Sequence, residues 1–294
     1  TGVPTTERTR VKSHTPGAGR GNEPSHHFMD VTDIGAPLDA HRDDLTDAQL
    51  RSVAMLLEAA STDAGTHLLE MPCSGGAVVT QAVAKRITVD TVSFDERIAR
   101  GVEEQLIMAG AEGSARVDLL SSTAEIPELA HQRRGVYDAV VSMNAFEALP
   151  AAEQTAYLQA AEEMLAPGGR VAVQTIVRTG AFSRAAGAAL TSLRPYSWPR
   201  LNVVTVDDIG RLVDKHTGLR VTAVTTAPEH LAASLKLQRM TFDAHLRDAA
   251  ADGYDVVFRR MWTWQFALRE ALARLGMLDL AQVTMVQRHR RGRR

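Results

Sequence analysis

His67-Leu68-Leu69-Glu70-Met71-Pro72-Cys73-Ser74-Gly75-Gly76-Ala77 is the stretch whose reading decides the fold. A short apolar run, His67-Leu68-Leu69, passes through the carboxylate of Glu70 into a tight turn from Pro72 to Gly76, and Ala77 to Ala84 then winds into a helix. Strand, turn and helix in that order make the first unit of a nucleotide- or nucleoside-binding α/β fold. The turn brings backbone amides close to a ligand, and the helix N-terminus adds positive partial charge. Glycine-containing strand-to-helix turns are common, so the flanking sequence has to carry the rest of the reading.

Upstream, Thr46-Asp47-Ala48-Gln49 has the form of a capping box, with Leu50, Val53, Ala54, Leu57 and Ala60 at helical spacing behind it. A helix of about four turns is expected to deliver the chain to the first strand. Residues 28–44 read as a loop laid over the domain. Residues 1–27, rich in Thr, Pro, Gly, Arg and Ser, cannot bury enough surface to offset ordering entropy and read as a disordered leader.

Downstream, the β-branched run Ile87 to Val92 predicts a second buried strand, and Ser93 is expected to cap a helix through Met108 with Ile98, Val102, Leu106 and Ala109 on one face. Ala115 to Leu120 and Tyr137 to Met143 read as the third and fourth strands. Ala151 to Ala166 is an amphipathic helix stopped by Pro167-Gly168-Gly169, and Arg170 to Ile176 is the fifth strand. This alternation implies a mostly parallel sheet covered on both faces, with ligand at the C-terminal strand ends. Beyond Ile176 the rhythm changes. Residues 177–202 read as irregular, Val203 to His216 as helix and Leu219 to Thr226 as strand. His230 to Leu275 is mainly helical, and Leu280 to Val286 closes as the last strand. The expected architecture is a Rossmann-like, mostly parallel seven-stranded sheet with an α-helical cap, about residues 177–202 and 229–275, inserted before the final strand. Trp262, Trp264 and Phe266 read first as cap core and second as pocket wall.

Composition narrows the function. Lys and Arg number 33 against 35 Asp and Glu, a formal charge of -2, which gives no overall drive toward nucleic acid or a membrane surface. Only the tail from 289 to 294 is strongly basic, and it reads as solvated, so membrane contact is at most peripheral. One cysteine, Cys73, excludes an internal disulfide and fits a reducing cytoplasm. No secretory signal, no membrane-spanning apolar run, no metal-ligand spacing of histidines and no Walker loop is present.

Several stretches in order then resemble cyclopropane-fatty-acid-synthase and mycolic acid cyclopropane synthase-like methyltransferases. These are Leu45-Thr46-Asp47-Ala48-Gln49; Tyr137-Asp138 with Ser142-Met143-Asn144-Ala145-Phe146-Glu147; Leu165-Ala166-Pro167-Gly168-Gly169-Arg170 with Gln174-Thr175-Ile176; and Phe258, Arg260-Met261-Trp262, Glu270-Ala271, Arg274, Gly276 and Gln282. The resemblance covers about residues 28–288. It implies a class I methyltransferase fold, S-adenosyl-L-methionine as cofactor, and transfer of its methyl carbon to an alkene in a hydrophobic small-molecule or acyl substrate.

Carried over by position, the resemblance places the cofactor against Glu70, Pro72, Cys73, Ser74 and Gly76, with Ser93 and Glu96 at the ribose, Ser122 and Thr123 near the adenine, and Asn144 after the fourth strand. Pro72 and Ser74 replace two of the family's three turn glycines, removing one donor and adding bulk. The implied catalytic positions are Glu147, Gln174 and His230. In the family a base acts through bicarbonate held by a glutamate, a histidine, a tyrosine and backbone near a cysteine. Here Glu147 is retained, Gln174 stands in place of the histidine, and His230-Leu231 stands where a histidine-tyrosine pair is common. Nothing in Phe28 to Pro37 clearly supplies the cysteine, which leaves Glu147 itself or a substrate group as base. The functions in view are therefore a C-methyltransferase or cyclopropane-forming enzyme on a lipid or natural-product intermediate and, alternatively, a non-methylating cyclase, isomerase or binding subunit built on the same fold.

Overall fold

The computed structural model describes residues 45–111, 113–194 and 202–288, with backbone only for 45–48. The leader, the covering loop before residue 45 and the tail from 289 to 294 lie outside the described residues. Strands β1 (His67–Glu70), β2 (Thr88–Ser93), β3 (Ala115–Leu119), β4 (Tyr137–Met143), β5 (Leu165–Arg178), β6 (Leu219–Thr226) and β7 (Leu278–Gln287) form one sheet in the order β3-β2-β1-β4-β5-β7-β6. The first five are parallel, and β7 runs antiparallel between β5 and β6. Parallel neighbours need a crossover connection, and the chain supplies helices α2 (Ala77–Ala84), α3 (Glu96–Met108), α4 (Ile126–Gln132) and α5 (Ala151–Met164) for it. Strand order reverses between β1 and β4, so the Glu70–Gly76 turn lies at a topological switch point, where such sheets bind ligands.

Both faces of the sheet are covered, which is why Val171 to Val177 of β5 is buried without interruption. On one face α1 (Leu45–Ala59), α2 and α3 pack through Val53, Leu56, Val79 and Val102 onto Leu68, Val141 and Ala172. On the other, α4, α5 and α7 (Val206–His216) pack through Leu129, Leu158 and Val213 onto Leu69, Val140, Val171 and Val283. A third cluster joins the strand ends at Ile176, Leu278 and Leu280 to α6 (Arg184–Leu193), α8 (Pro228–Ala244), α9 (Leu246–Ala251) and α10 (Val256–Arg274). Three of these helices, α8 to α10, are inserted between β6 and β7. Their core is an aromatic chain in which Tyr254, Phe258, Trp262 and Phe266 follow one another at centroid distances of 4.5, 5.8 and 5.6 Å. Trp262 and Phe266 are buried, whereas Trp264 is 43 % exposed and lines an open cleft with Asp243, Leu246 and Arg260.

Five local expectations are corrected. Asp95, not Ser93, caps α3, its carboxylate accepting from the Arg97 and Ile98 amides, while Ser93 Oγ donates to the Asp95 carbonyl at 2.9 Å. The α3 face is Ala99, Val102 and Leu106 with Ile98 partly buried beside them, but Ala109 is exposed, and α1 buries Ser52 and Leu56 while Leu50 faces out. Residues 184–193, expected to be irregular, form α6 behind a Ser183 cap that accepts from the Ala186 amide at 3.1 Å. Strand β5 starts at Leu165, five residues early, because Leu165 already pairs with Tyr137 and the ladder resumes at Arg170 opposite Ala139. Gly169 sits in that irregularity. A Cβ there would lie 2.6 Å from the Asp138 carbonyl, so only glycine lets the two strands approach.

Candidate active site

The turn after β1 is braced from within. Glu70 is fully buried; one carboxylate oxygen accepts from the Ser74 amide at 2.8 Å and the other from Thr91 Oγ1 at 2.7 Å. Burial pushes its pKa above the ordinary carboxylate value, against those two donors. The Cys73 amide donates to the Val92 carbonyl at 2.7 Å, and Tyr157 Oη donates to the Met71 carbonyl at 3.0 Å, tying the turn to β2 and α5. Gly75 and Gly76 both take positive φ, 81° and 101°. Gly76 stands at the N-cap of α2 and offers no side-chain acceptor, and Ser74 Oγ accepts from the Val78 amide at 3.3 Å. Cys73 is half-buried. Desolvation first and the Glu70 charge second push its thiol up to about 12.

The other cofactor positions sit on the same C-terminal edge with unequal burial. Ser93 ends β2 and is buried. Glu96 lies on the exposed first turn of α3, ion-paired with Arg100 at 3.0 Å. In the loop after β3, Ser122 Oγ accepts from the Ala124 amide at 3.3 Å, and Thr123 Oγ1 donates to Glu153 at 2.9 Å. Asn144 follows β4 in the left-handed region, φ 51°, buried, its amide donating to the Gln174 carbonyl at 2.8 Å.

The catalytic positions divide between the two faces of the sheet. Successive strand residues point to opposite sides. Gln174 of β5 faces α1: its Oε1 accepts from Ser52 Oγ at 2.9 Å and from Gln282 Nε2 at 2.8 Å, while its Nε2 donates to Asn144 Oδ1 at 3.1 Å. Gln282 comes from β7, where the antiparallel register sets it directly opposite Gln174. Thr175, the next residue, turns the other way and donates from Oγ1 to Glu147 Oε2 at 2.6 Å, with both residues buried. His230, on the first turn of α8, lines a small cleft of about 20 Å³ with Ser52, Met55, Gln174, Thr225 and Gln282. Thus Gln174 and His230 share one cleft, and Glu147 belongs to Thr175 on the opposite face.

Sequence reasoning did not assign roles to Ser52, Thr175 and Gln282. A signal for Thr175 was available: Gln174-Thr175 is a polar pair inside an otherwise apolar strand, and both sides of a buried strand need partners. Among the described residues no cluster of three or more metal-ligating side chains occurs, and no helix is long and apolar enough to cross a membrane.

This sheet order, with its antiparallel seventh strand and braced turn at the switch point, defines a class I S-adenosylmethionine-dependent methyltransferase fold. The family model for mycolic acid cyclopropane synthetase matches residues 34–283, and the chain belongs to that family. It is 29 % identical over 244 residues to tuberculostearic acid methyltransferase UfaA1 of Mycobacterium tuberculosis, covering 83 % of this chain and 55 % of the relative. The chain therefore spans about half the length of that relative. It is 26 % identical over 274 residues to cyclopropane mycolic acid synthase 3 of the same species, covering 88 % and 91 % of the two chains. The structure of mycolic acid cyclopropane synthase CmaA1 complexed with SAH and CTAB superposes with a TM-score of 0.77 at 20 % identity, over 90 % of this chain and 94 % of that one.

Proposed function

We propose that the protein is an S-adenosylmethionine-dependent C-methyltransferase, or cyclopropane-forming methylene transferase, acting in the cytoplasm on an unsaturated hydrophobic substrate, a lipid or natural-product intermediate. The observation that carries the reading is the buried Glu147 carboxylate, held by Thr175 at the C-terminal edge of the sheet within a family of this kind. The cofactor fits the residues present. The N-terminus of α2, where Gly76 contributes no side-chain acceptor, suits its carboxylate, and Ser93, with Glu96 beyond it, suits the ribose hydroxyls. Ser122 and Thr123 flank the adenine position, and Asn144 closes the edge between the turn and β5. When bound, the cofactor supplies an electrophilic methyl group.

The chain's own work is orientation, exclusion of water and proton removal. An alkene is a weak nucleophile, so it must be held in line and dry. Buried side chains of β4 and β5 supply the dry floor. A carboxylate whose plane is fixed by a 2.6 Å hydrogen bond can then take a proton, either from the transferred methyl group, so that its C–H electron pair closes the ring, or from the carbon next to the cationic centre, leaving a methylated alkene. Replacement of Glu147 by Gln should abolish product while leaving S-adenosylmethionine affinity, read by calorimetry, within about threefold. Retained turnover would remove Glu147 from the mechanism.

A second reading, a methyltransferase-like cyclase, isomerase or binding subunit, is favoured by one feature of the turn. Pro72 has no N–H, and the Cys73 and Ser74 amides are already used by Val92 and Glu70. It predicts turnover without S-adenosylhomocysteine, or no turnover at all.

A further inference from the structure

We infer that the outer face of the cap, at the cleft between α9 and α10, docks on an anionic lipid bilayer and seats a lipid phosphate there. The inference rests on the proposed function, because an enzyme acting on lipid has to meet a substrate that water does not dissolve. Its ground is that α10 is apolar on two sides. The inner side, with Phe258, Trp262 and Phe266, is buried in the cap core. The outer side carries Val256, Val257, Arg260, Trp264 and Ala267, all exposed, at positions that successive helical turns bring into one stripe. A surface helix ordinarily turns charged and polar residues that way. Here Val256 and Val257 are 48 and 56 % exposed, beside the half-exposed indole of Trp264.

The cleft along this stripe has a volume of about 640 Å³, and Leu246, Arg247 and Ala250 of α9 line it together with Arg259, Arg260 and Trp264 of α10. Its charge is positive. Asp243 is the one carboxylate in the lining, and it accepts from Thr263 Oγ1 at 2.9 Å and pairs with Arg239 at 3.9 Å. Arg259 donates from Nη1 to the Tyr254 carbonyl at 3.2 Å. Arg247 and Arg260 make no hydrogen bond or ion pair among the described residues, so two guanidinium groups are left for an anion.

Charge and shape together select the occupant. Arginines above an apolar floor suit a phosphate at one end and hydrocarbon at the other, which is the chemistry of a phospholipid at a bilayer surface. Indole and guanidinium groups also settle at that depth, the one amphipathic and the other held in the head-group layer by its apolar stem. An acidic peptide would satisfy the arginines. It would leave Val257 in water, and also Met240, which is 52 % exposed one turn before Asp243 on α8, whereas a bilayer covers both. Docked in this way, the cap holds the strand ends at Ile176 and Leu280 about one helix diameter, roughly 10 Å, from the lipid.

The test uses the full chain with vesicles of phosphatidylcholine alone or of phosphatidylcholine mixed equally with phosphatidylglycerol, some carrying bromine on their acyl chains to quench indole on contact. The parent protein should sediment with the mixed vesicles several-fold more than with the neutral ones, and less so at high salt. Arg247→Gln combined with Arg260→Gln should weaken that binding about tenfold or more. Bromine should quench the parent but not Trp264→Ala, and both variants should melt with the parent, which separates lost binding from lost folding. Three results overturn the inference: no sedimentation of the parent, sedimentation that both variants retain, as a basic tail acting alone would give, or bound protein whose Trp264 stays unquenched. Self-association that Trp264→Ala abolishes, in protein that ignores vesicles, would give the face to a second copy and overturn it equally. Titration with S-adenosylmethionine separates the two levels: vesicle binding by folded protein that takes no cofactor strikes the proposed function, and cofactor binding without vesicle binding strikes the docking face.

Discussion

Replacing Thr175 with Val removes one hydroxyl and almost no volume. In the native protein that hydroxyl lies 2.6 Å from Glu147 Oε2, with Thr175 inaccessible to solvent and Glu147 5 % exposed. A hydrogen bond to a charged group is worth roughly 1.5–3 kcal/mol, and water has little access to replace it here. Because about 1.36 kcal/mol is a factor of ten, a carboxylate that loses this partner in the transition state should slow turnover by roughly 10- to 150-fold. The lost hydrogen bond should also lower Tm by several degrees. Thr175→Ser keeps the donor and should restore most of the rate, which a purely steric role for the β-branched methyl group would not allow. The assay is S-adenosylhomocysteine release under saturating cofactor, with calorimetric affinity and thermal melting on the same samples. A Val variant with kcat within twofold of the parent and an unchanged Tm would refute the positioning role.

Gly76→Ala should weaken S-adenosylmethionine binding by about 1–2 kcal/mol, from backbone strain at φ 101°. The added Cβ would also meet Gln105 Oε1 at 2.5 Å, but that is the end of a flexible side chain, so Gln105→Ala should not rescue the loss, as titration of the double variant can check. Trp262→Ala should cost about 3–5 kcal/mol in denaturant unfolding, whereas exposed Trp264→Ala should stay within about 0.5 kcal/mol. Asp208 closes a capping box with Thr205 and pairs with Arg178 and Arg211, and these partners, the Thr205 amide first, hold its pKa below the ordinary 3.8. Since its folded value is the lower one, its stabilisation is complete above 3.8 and is lost as pH falls toward the folded value. Urea midpoints of Asp208→Asn should therefore fall below the parent at neutral pH and converge with it in strong acid.

Legibility followed the range of the interaction. Ala77–Ala84, Tyr137–Met143 and Leu219–Thr226 were predicted to the residue, because each declares itself through a local run of helix formers or of β-branched and apolar side chains. Helix α6 escaped because Arg184-Ala185-Ala186-Gly187-Ala188-Ala189 carries few large apolar residues to mark a face. The cap at Asp95 escaped because Ser93 and Asp95 are both good caps, and only the extended backbone at Asp95 decides between them. Of the candidate site, position was legible: Glu70, Ser93, Asn144 and Glu147 each lie at or just beyond the end of a strand that the sequence marks. The Ser52–Gln174–Gln282 contacts were not, since they join residues 122 and 108 positions apart through a register that exists only once β5 and β7 have paired.

The most direct test of the account follows the methyl carbon itself. Full-length protein incubated with S-adenosylmethionine labelled with carbon-13 at the methyl group and a cis-unsaturated acyl substrate should yield S-adenosylhomocysteine and an equal amount of acyl product carrying the label in a new carbon–carbon bond, seen by mass spectrometry and NMR. Glu147→Gln should yield neither. Acyl product formed without the label, or without S-adenosylhomocysteine, would contradict the assignment.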